Sequence, residues 1–119
     1  MIIKHLPKIK KRATGAHGET ALYQPFWQGG EKPDSMKTFT NFGRITLRPG
    51  GTNTLHMHKD VEQVYVVLRG AGTVQVGDER AEVRAGDAVF LPAKVSHGFF
   101  NTGDKTAIVL LVGTRVSQA

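Results

Sequence analysis

The chain has no cysteine among its 119 residues. Disulfides and thiolate ligands are therefore excluded, and any metal site must use nitrogen and oxygen donors. No apolar run approaches the roughly 20 residues of a membrane-spanning helix. No window carries sustained 3.6-residue periodicity between caps, which predicts little helix. The opening Met1-Ile2-Ile3-Lys4-His5-Leu6-Pro7 places charge and a proline where a secretory leader needs continuous apolar residues. The expectation is a cytoplasmic protein with no membrane partner.

Acidic residues are missing from the first twelve positions, which hold Lys4, Lys8, Lys10, Lys11 and Arg12. The net charge of +6 is largely this segment, because without these five the chain carries 11 basic and 10 acidic residues. A basic arm can contact nucleic acid or an acidic partner, or it can be a solvated leader or a strand crossing to a sister subunit. No aromatic residue interleaves the run to stack on bases, so the expectation is against nucleic acid.

What is present reads as short strands punctuated by glycine. The segments 43–48, 62–69, 72–77, 79–84, 87–91, 95–101 and 105–112 are rich in Val, Ile, Phe and Thr. Turn-forming groups such as Pro49-Gly50-Gly51, Gly77-Asp78 and Ala85-Gly86-Asp87 separate them. Many short strands at this spacing predict an all-β sandwich or barrel, and the length predicts one domain. Before residue 40 the pattern is weaker. Met1–Arg12 can be a strand interrupted by Pro7, 14–19 a loop, Ala21–Gln24 a strand, and 28–35 an irregular loop. The expected organisation is an N-terminal arm and strands over 1–40, a barrel over 41–114 and a tail over 115–119.

Two segments carry the chemistry. The first runs Gly50-Gly51-Thr52-Asn53-Thr54-Leu55-His56-Met57-His58 and continues through Glu62-Gln63 to Gly70. His56 and His58 are two apart, so on an extended strand both imidazoles leave the same face. The second runs from Gly86 through Pro92-Ala93-Lys94-Val95-Ser96-His97 to Asn101. Imidazole suits several divalent transition metals, so the residue types indicate a metal without choosing one.

These segments resemble the two sequence motifs of the cupin family, over roughly residues 43–112. The first motif pairs a Gly with His-x-His, a Glu and a closing Gly, and Gln63 stands where the glutamate belongs. Glu62 should face away from Gln63 by strand alternation. In the second motif Gly86, Pro92, His97 and Asn101 fall in place, with Lys94 where a glycine belongs. A lysine held at positive φ is strained by about 1–2 kcal/mol, so the expectation is a turn relaxed into another geometry, with the ammonium in solvent or over the barrel mouth.

The resemblance implies a jelly-roll (double-stranded β-helix) barrel holding one divalent metal ion (Mn, Fe, Ni, Zn or Cu) on His56, His58, Gln63 and His97. The Glu62-Gln63 pair looks like the variant found in cupins that process sugar acids. Three neutral imidazoles and an amide leave the metal its full charge, which favours a small anionic ligand. The implied function is an isomerase, lyase or dioxygenase acting on a sugar acid, oxo acid or diketone. The alternative is a non-catalytic module that binds or senses a small molecule through the metal. Tyr65 is a candidate acid or base, with barrel packing as its other role. Phe26, Trp27, Phe39 and Phe42 are expected to seal one end of the core, and the Trp27 region to set selectivity. His5 and His17 lie outside both motifs, and His17 is expected to be a solvated loop histidine, with reach to the barrel mouth as the alternative. A homodimer is expected by resemblance, with the N-terminal strand extending a neighbour's sheet and covering an open edge.

Overall fold

The computed structural model describes residues 1–13 and 20–116. The described residues form ten strands: β1 (Arg12–Ala13), β2 (Ala21–Gln28), β3 (Phe39–Leu47), β4 (Thr52–His56), β5 (Val61–Arg69), β6 (Ala71–Val76), β7 (Glu79–Arg84), β8 (Ala88–Leu91), β9 (His97–Phe100) and β10 (Ala107–Arg115). A 3-10 turn spans Leu6–Lys8, and no helix among the described residues is long and apolar enough to cross a membrane. A six-stranded sheet in the order β1-β2-β3-β10-β5-β8 faces a four-stranded sheet in the order β4-β9-β6-β7. All strand pairs are antiparallel. This is the jelly-roll barrel expected from the sequence.

The strands form where β-branched and aromatic residues alternate with polar ones, and they end at glycines that accept positive φ. Gly77, at φ 58°, turns β6 into β7, and Gly86, at φ 99°, leads the chain back toward β8. On β5 the buried positions are Gln63, Tyr65 and Val67, while Glu62 lies on the other face as alternation requires.

Rows across the six-stranded sheet show how the interior is graded. One row joins Leu47 of β3 to Ala107 of β10 on one side and Ala21 of β2 on the other. The next joins Val67, Val109 and Ile45. Together with Val74 and Phe99 from the facing sheet they form the apolar core. Further along, the inward residues become Tyr65, Leu111 and Gly43, then Gln63, Gly113 and Asn41. The barrel is thus packed with hydrocarbon at one end and lined with polar groups and glycines at the other. Burying the apolar end supplies the stabilisation, at about 25 cal/mol per Å2 of area removed from water. The polar end is free to serve a ligand.

The N-terminal region differs from expectation. Pro7 sits inside the 3-10 turn rather than interrupting a strand. The arm docks on its own sheet: the buried Gln24 amide donates to Leu6 O and Ile9 O (3.1 and 2.7 Å), and Lys4 Nζ donates to Phe26 O. Arg44 donates in turn to Gln24 Oε1, so one buried amide joins arm, β2 and β3. The expected strand at Ala21–Gln24 continues through Pro25 to Gln28, with a register shift between Pro25 and Trp27. The two-residue β1 pairs with Tyr23 and Leu22 and stops short of Pro25, so the missing N–H faces an open edge, where proline is tolerated. Phe26 stacks on Trp27 and meets Phe42 edge-on, but none of the four aromatics expected to seal the core belongs to it. Phe39 is exposed, and Trp27 lies under Lys4. His5 is exposed, whereas His17 lies outside the described residues.

Candidate metal centre

His56 and His97 are directly opposite each other in the antiparallel β4–β9 pair. Side chains at such positions leave the same face about 5 Å apart, and their ring centroids are 4.4 Å apart. Asn53 is paired with Phe99, so three steps on β4 match two on β9. That bulge restores inward direction to both Asn53 and His56, whose odd spacing would otherwise put them on opposite faces. Gly98 makes the bulge possible, because a Cβ there would lie 2.9 Å from Asn53 O and 3.1 Å from Leu55 N.

His58 does not lie on the extended strand expected for it, because β4 ends at His56. The turn after β4 still brings the His58 ring to 4.9 Å from His56 and 5.4 Å from His97. The Lys94 amide donates to His58 O at 2.7 Å, and the Val116 amide donates to Asp60 O at 2.8 Å. These bonds fix the loop at two points, and an exposed Arg115–Asp60 ion pair adds a third tie. Lys94 has φ 67°. The turn has therefore kept the left-handed geometry in spite of the lysine, contrary to the expected relaxation, because its amide is committed to His58. The Lys94 side chain is exposed.

One ligand nitrogen from each of His56, His58 and His97 lies within 4.8 Å of the other two. His56 Nδ1 is 2.7 Å from Thr54 O. A carbonyl can only accept, so Nδ1 carries the proton and Nε2 carries the lone pair that a metal needs. Burial, reinforced by His56 nearby, lowers the His58 pKa below the ordinary 6.5 against the opposing pull of Asp60. The ring is therefore held in the neutral form that ligates. The three histidines fit a divalent transition metal by donor type and spacing.

A cavity of about 200 Å3 opens on this cluster, lined by His56, His58, Gln63, Asn53 and both tyrosines of the chain, Tyr23 and Tyr65. Gln63 is buried at the cavity wall. Tyr65 is 1 % exposed, and its hydroxyl accepts a hydrogen bond from Asn53 Nδ2 at 2.9 Å. Desolvation raises its pKa far above the ordinary phenol value, outweighing that bond. Tyr65 is thus a permanent donor at neutral pH and not a base. No Asp or Glu lines the cavity among the described residues. Asn101 is buried and acts as a brace: its amide donates to Leu47 O and Lys105 O and accepts from the Gly103 amide.

Sequence reasoning missed Tyr23, Asn41 and Asn53, and placed selectivity near Trp27, which does not line this cavity. Asn53 was within reach, since it lies in the His-x-His segment; the bulge that aims it inward has no local signature.

A jelly-roll barrel with three converging imidazoles at its polar end defines a class of small β-barrels able to hold a metal ion. A family model described as "Cupin domain" matches residues 43–113, and the chain belongs to the cupin family. An oxalate-binding protein of Thermotoga maritima is 33% identical over 63 residues, covering 53% of this chain and 52% of that protein. An uncharacterized protein of Methanocaldococcus jannaschii is 37% identical over 57 residues, 47% of this chain and 46% of that one. The chain thus spans about half the length of these relatives. Among solved structures, a predicted oxalate decarboxylase of Thermotoga maritima superposes with a TM-score of 0.85 over 97% of this chain and 100% of that chain, at 22% identity. A sugar phosphate isomerase of Silicibacter pomeroyi superposes with 0.76 over 94% and 74%, at 24% identity. These superpositions establish the fold.

Proposed function

We propose that the chain is a metal-dependent cupin enzyme acting on a small oxygenated anion, by isomerase, lyase or dioxygenase chemistry. The observation that carries this reading is the pairing of three converging imidazoles with a cavity that holds hydrogen-bond donors and, among the described residues, no carboxylate. His56, His58 and His97 would hold one divalent ion (Mn, Fe, Ni, Zn or Cu), and Gln63 would add a neutral amide oxygen. Such an ion supplies Lewis acidity toward a carboxylate, carbonyl or enediol oxygen. With neutral ligands its charge is not cancelled by the protein, and an anion completes the balance. Tyr65 holds its proton and donates it in a hydrogen bond, orienting the ligand. Likeness to an oxalate-binding protein and to a sugar phosphate isomerase supports small oxyanions as the ligand class.

A second reading, a non-catalytic metal-anchored binding protein, is favoured by two observations. The cavity has no carboxylate among the described residues, and Tyr65 is too weak an acid to exchange its proton near neutral pH. A screen of 2-oxo acids, uronates and diketones, with oxygen uptake followed, separates the two readings: turnover supports the enzyme, and binding without turnover supports the module. Replacing Gln63→Glu tightens metal retention and weakens anion binding if the amide ligates. Unchanged behaviour removes Gln63 from the ligand set.

We also propose a homodimer. Val64 and Val66 on β5, Leu110 and Val112 on β10, and Phe90 on β8 alternate with the inward residues and form an apolar outer face, with Leu68 and Phe90 more than half exposed. Three strands of about seven residues present roughly 330 Å2 of flat face, so a standard interface of ~800 Å2 per partner would also take in the residues around it. An apolar patch is complementary to itself, so a second copy is the occupant. Light scattering after gel filtration should give a dimer that Phe90→Lys converts to monomer. A monomeric wild type refutes the pairing.

A further inference from the structure

Opposite the histidines, the cavity wall carries two polar side chains that the metal site does not use. Tyr23 Oη is buried and its O–H has no acceptor among the described residues, while burial pushes its pKa up against the opposing pull of the neighbouring Asn41 side chain on the oxygen. Asn41 Oδ1 accepts from Thr40 Oγ1 at 3.0 Å, which leaves the amide NH2 as a donor. Both residues line the same cavity as His56 and His58.

Two glycines seat them there. A Cβ at Gly43 would lie 2.5 Å from Tyr23 Oη, so the phenol lies across a position where any other residue would stand. A Cβ at Gly113 would lie 2.1 Å from Asn41 Oδ1. Gly113 is the register partner of Gln63 on one side and Asn41 on the other, so the Asn41 amide leans over the gap toward the metal wall. Glycine inside a strand weakens it and is retained where something must approach closely. Here the two glycines create both the hollow and the room for the polar groups that face it. Arg12, the cross-strand partner of Tyr23, adds a cation at the β1 edge.

We propose that Tyr23 and Asn41 form a distal recognition subsite, which binds the far oxygens of a small ligand whose near oxygens face His56, His58 and His97. The inference rests on the metal-site reading above and deepens it by fixing the ligand as bifunctional, with acceptor oxygens at both ends. Donors line both ends of the chamber: Tyr65 on the metal wall, Tyr23 and Asn41 on the distal wall. A buried O–H without an acceptor is destabilising, and a ligand oxygen that accepts from it removes that cost. The cavity is smaller than the 300–1,000 Å3 typical of sites for drug-sized ligands, so the two oxygen groups must be close together, as in short dicarboxylates or oxo acids.

The test is calorimetric titration of the metal-loaded protein with acetate, oxalate, malonate and succinate, using wild type, Tyr23→Phe and His58→Ala. Wild type should bind one of the three dicarboxylates at least tenfold more tightly than acetate. Tyr23→Phe should lose about tenfold on that dicarboxylate, the loss of one hydrogen bond to a charged acceptor, with acetate affinity and metal content unchanged. Equal affinity of wild type for all four probes overturns the proposal. So does a Tyr23→Phe variant that keeps its dicarboxylate affinity, which would mean that solvent satisfies the hydroxyl, or one that loses acetate equally. Failure of the metal reading looks different: His58→Ala then binds both probes as wild type does, and the Tyr23→Phe comparison still decides the subsite.

Discussion

One side of the cavity is built from residues close in sequence and the other from residues close only in register. His56, His58 and His97 stand on β4, the turn after it and the start of β9, with two of the three inside a single tripeptide. Tyr23 and Asn41 stand on β2 and β3, and reach the cavity because Gly43 and Gly113 leave room. The histidine wall is held by backbone hydrogen bonds and a bulge, so a change there moves the three imidazoles. The opposite wall is held by side-chain packing over glycines, so a change there reshapes the cavity and leaves the imidazoles in place. The histidine cluster can therefore be kept while the facing wall changes, provided the two walls are supported separately.

The sharpest way to break this separation is Gly98→Ala. The new Cβ would meet backbone atoms of Asn53 and Leu55, which cannot turn aside as a side chain can. The expected cost is about 3 kcal/mol in denaturant unfolding, at the upper end for overpacking, together with loss of metal retention as His56 moves. Stability near wild type would show that β4 shifts freely.

Tyr65→Phe comes next. It leaves the buried Asn53 amide without its acceptor and should cost about 1–3 kcal/mol at neutral pH. Because burial raises the Tyr65 pKa, the unfolded chain releases this proton above about pH 10 while the folded chain keeps it. Stability from this group is therefore full below pH 10 and declines as pH rises beyond it. An alkaline melting series should show a shallower decline in Tyr65→Phe.

Lys94→Gly sharpens the comparison from the stabilising side. Removing the Cβ relieves the left-handed strain of about 1–2 kcal/mol, partly offset by the greater freedom of glycine in the unfolded chain. The expected gain is up to about 1 kcal/mol, with metal retention unchanged because the amide that holds His58 O remains. A loss of stability would mean that the lysine side chain has a partner of its own.

The smallest effect is in pH. The folded chain disfavours protonated His58, so below pH 6.5 the unfolded chain binds the extra proton. Stability of the metal-stripped protein should fall as pH drops from about 6.5 through the lowered folded value and then level off. Replacing His58→Ala should flatten that segment of the melting curve, while Tyr23→Phe should leave it intact.

The sequence foretold the two walls unequally. The barrel was legible because period-2 alternation and glycine turns are local, and the convergence of three histidines was legible because their motif lies in two short stretches. His58 left the strand expected for it, yet the turn aimed it at the same point. The opposite wall was not legible. Pro25 and the register shift beside it break the alternation of β2, and the cavity exists because Gly113 falls between Gln63 and Asn41, a match set by pairing across three strands. Trp27 misled the search for selectivity because a large aromatic in a loop-rich stretch suggests a lip, whereas here it packs under Lys4 outside the barrel. Lys94 kept a costly conformation because the bond to His58 O depends on it.

The central claim, that these three histidines hold a divalent ion, is tested most directly by elemental analysis of protein purified without chelator, wild type beside His58→Ala at equal concentration. Close to one transition-metal ion per wild-type chain, and a fall to a small fraction of that in a folded variant, is the expected result. Equal and negligible metal in both proteins, after supply of each candidate ion, contradicts it.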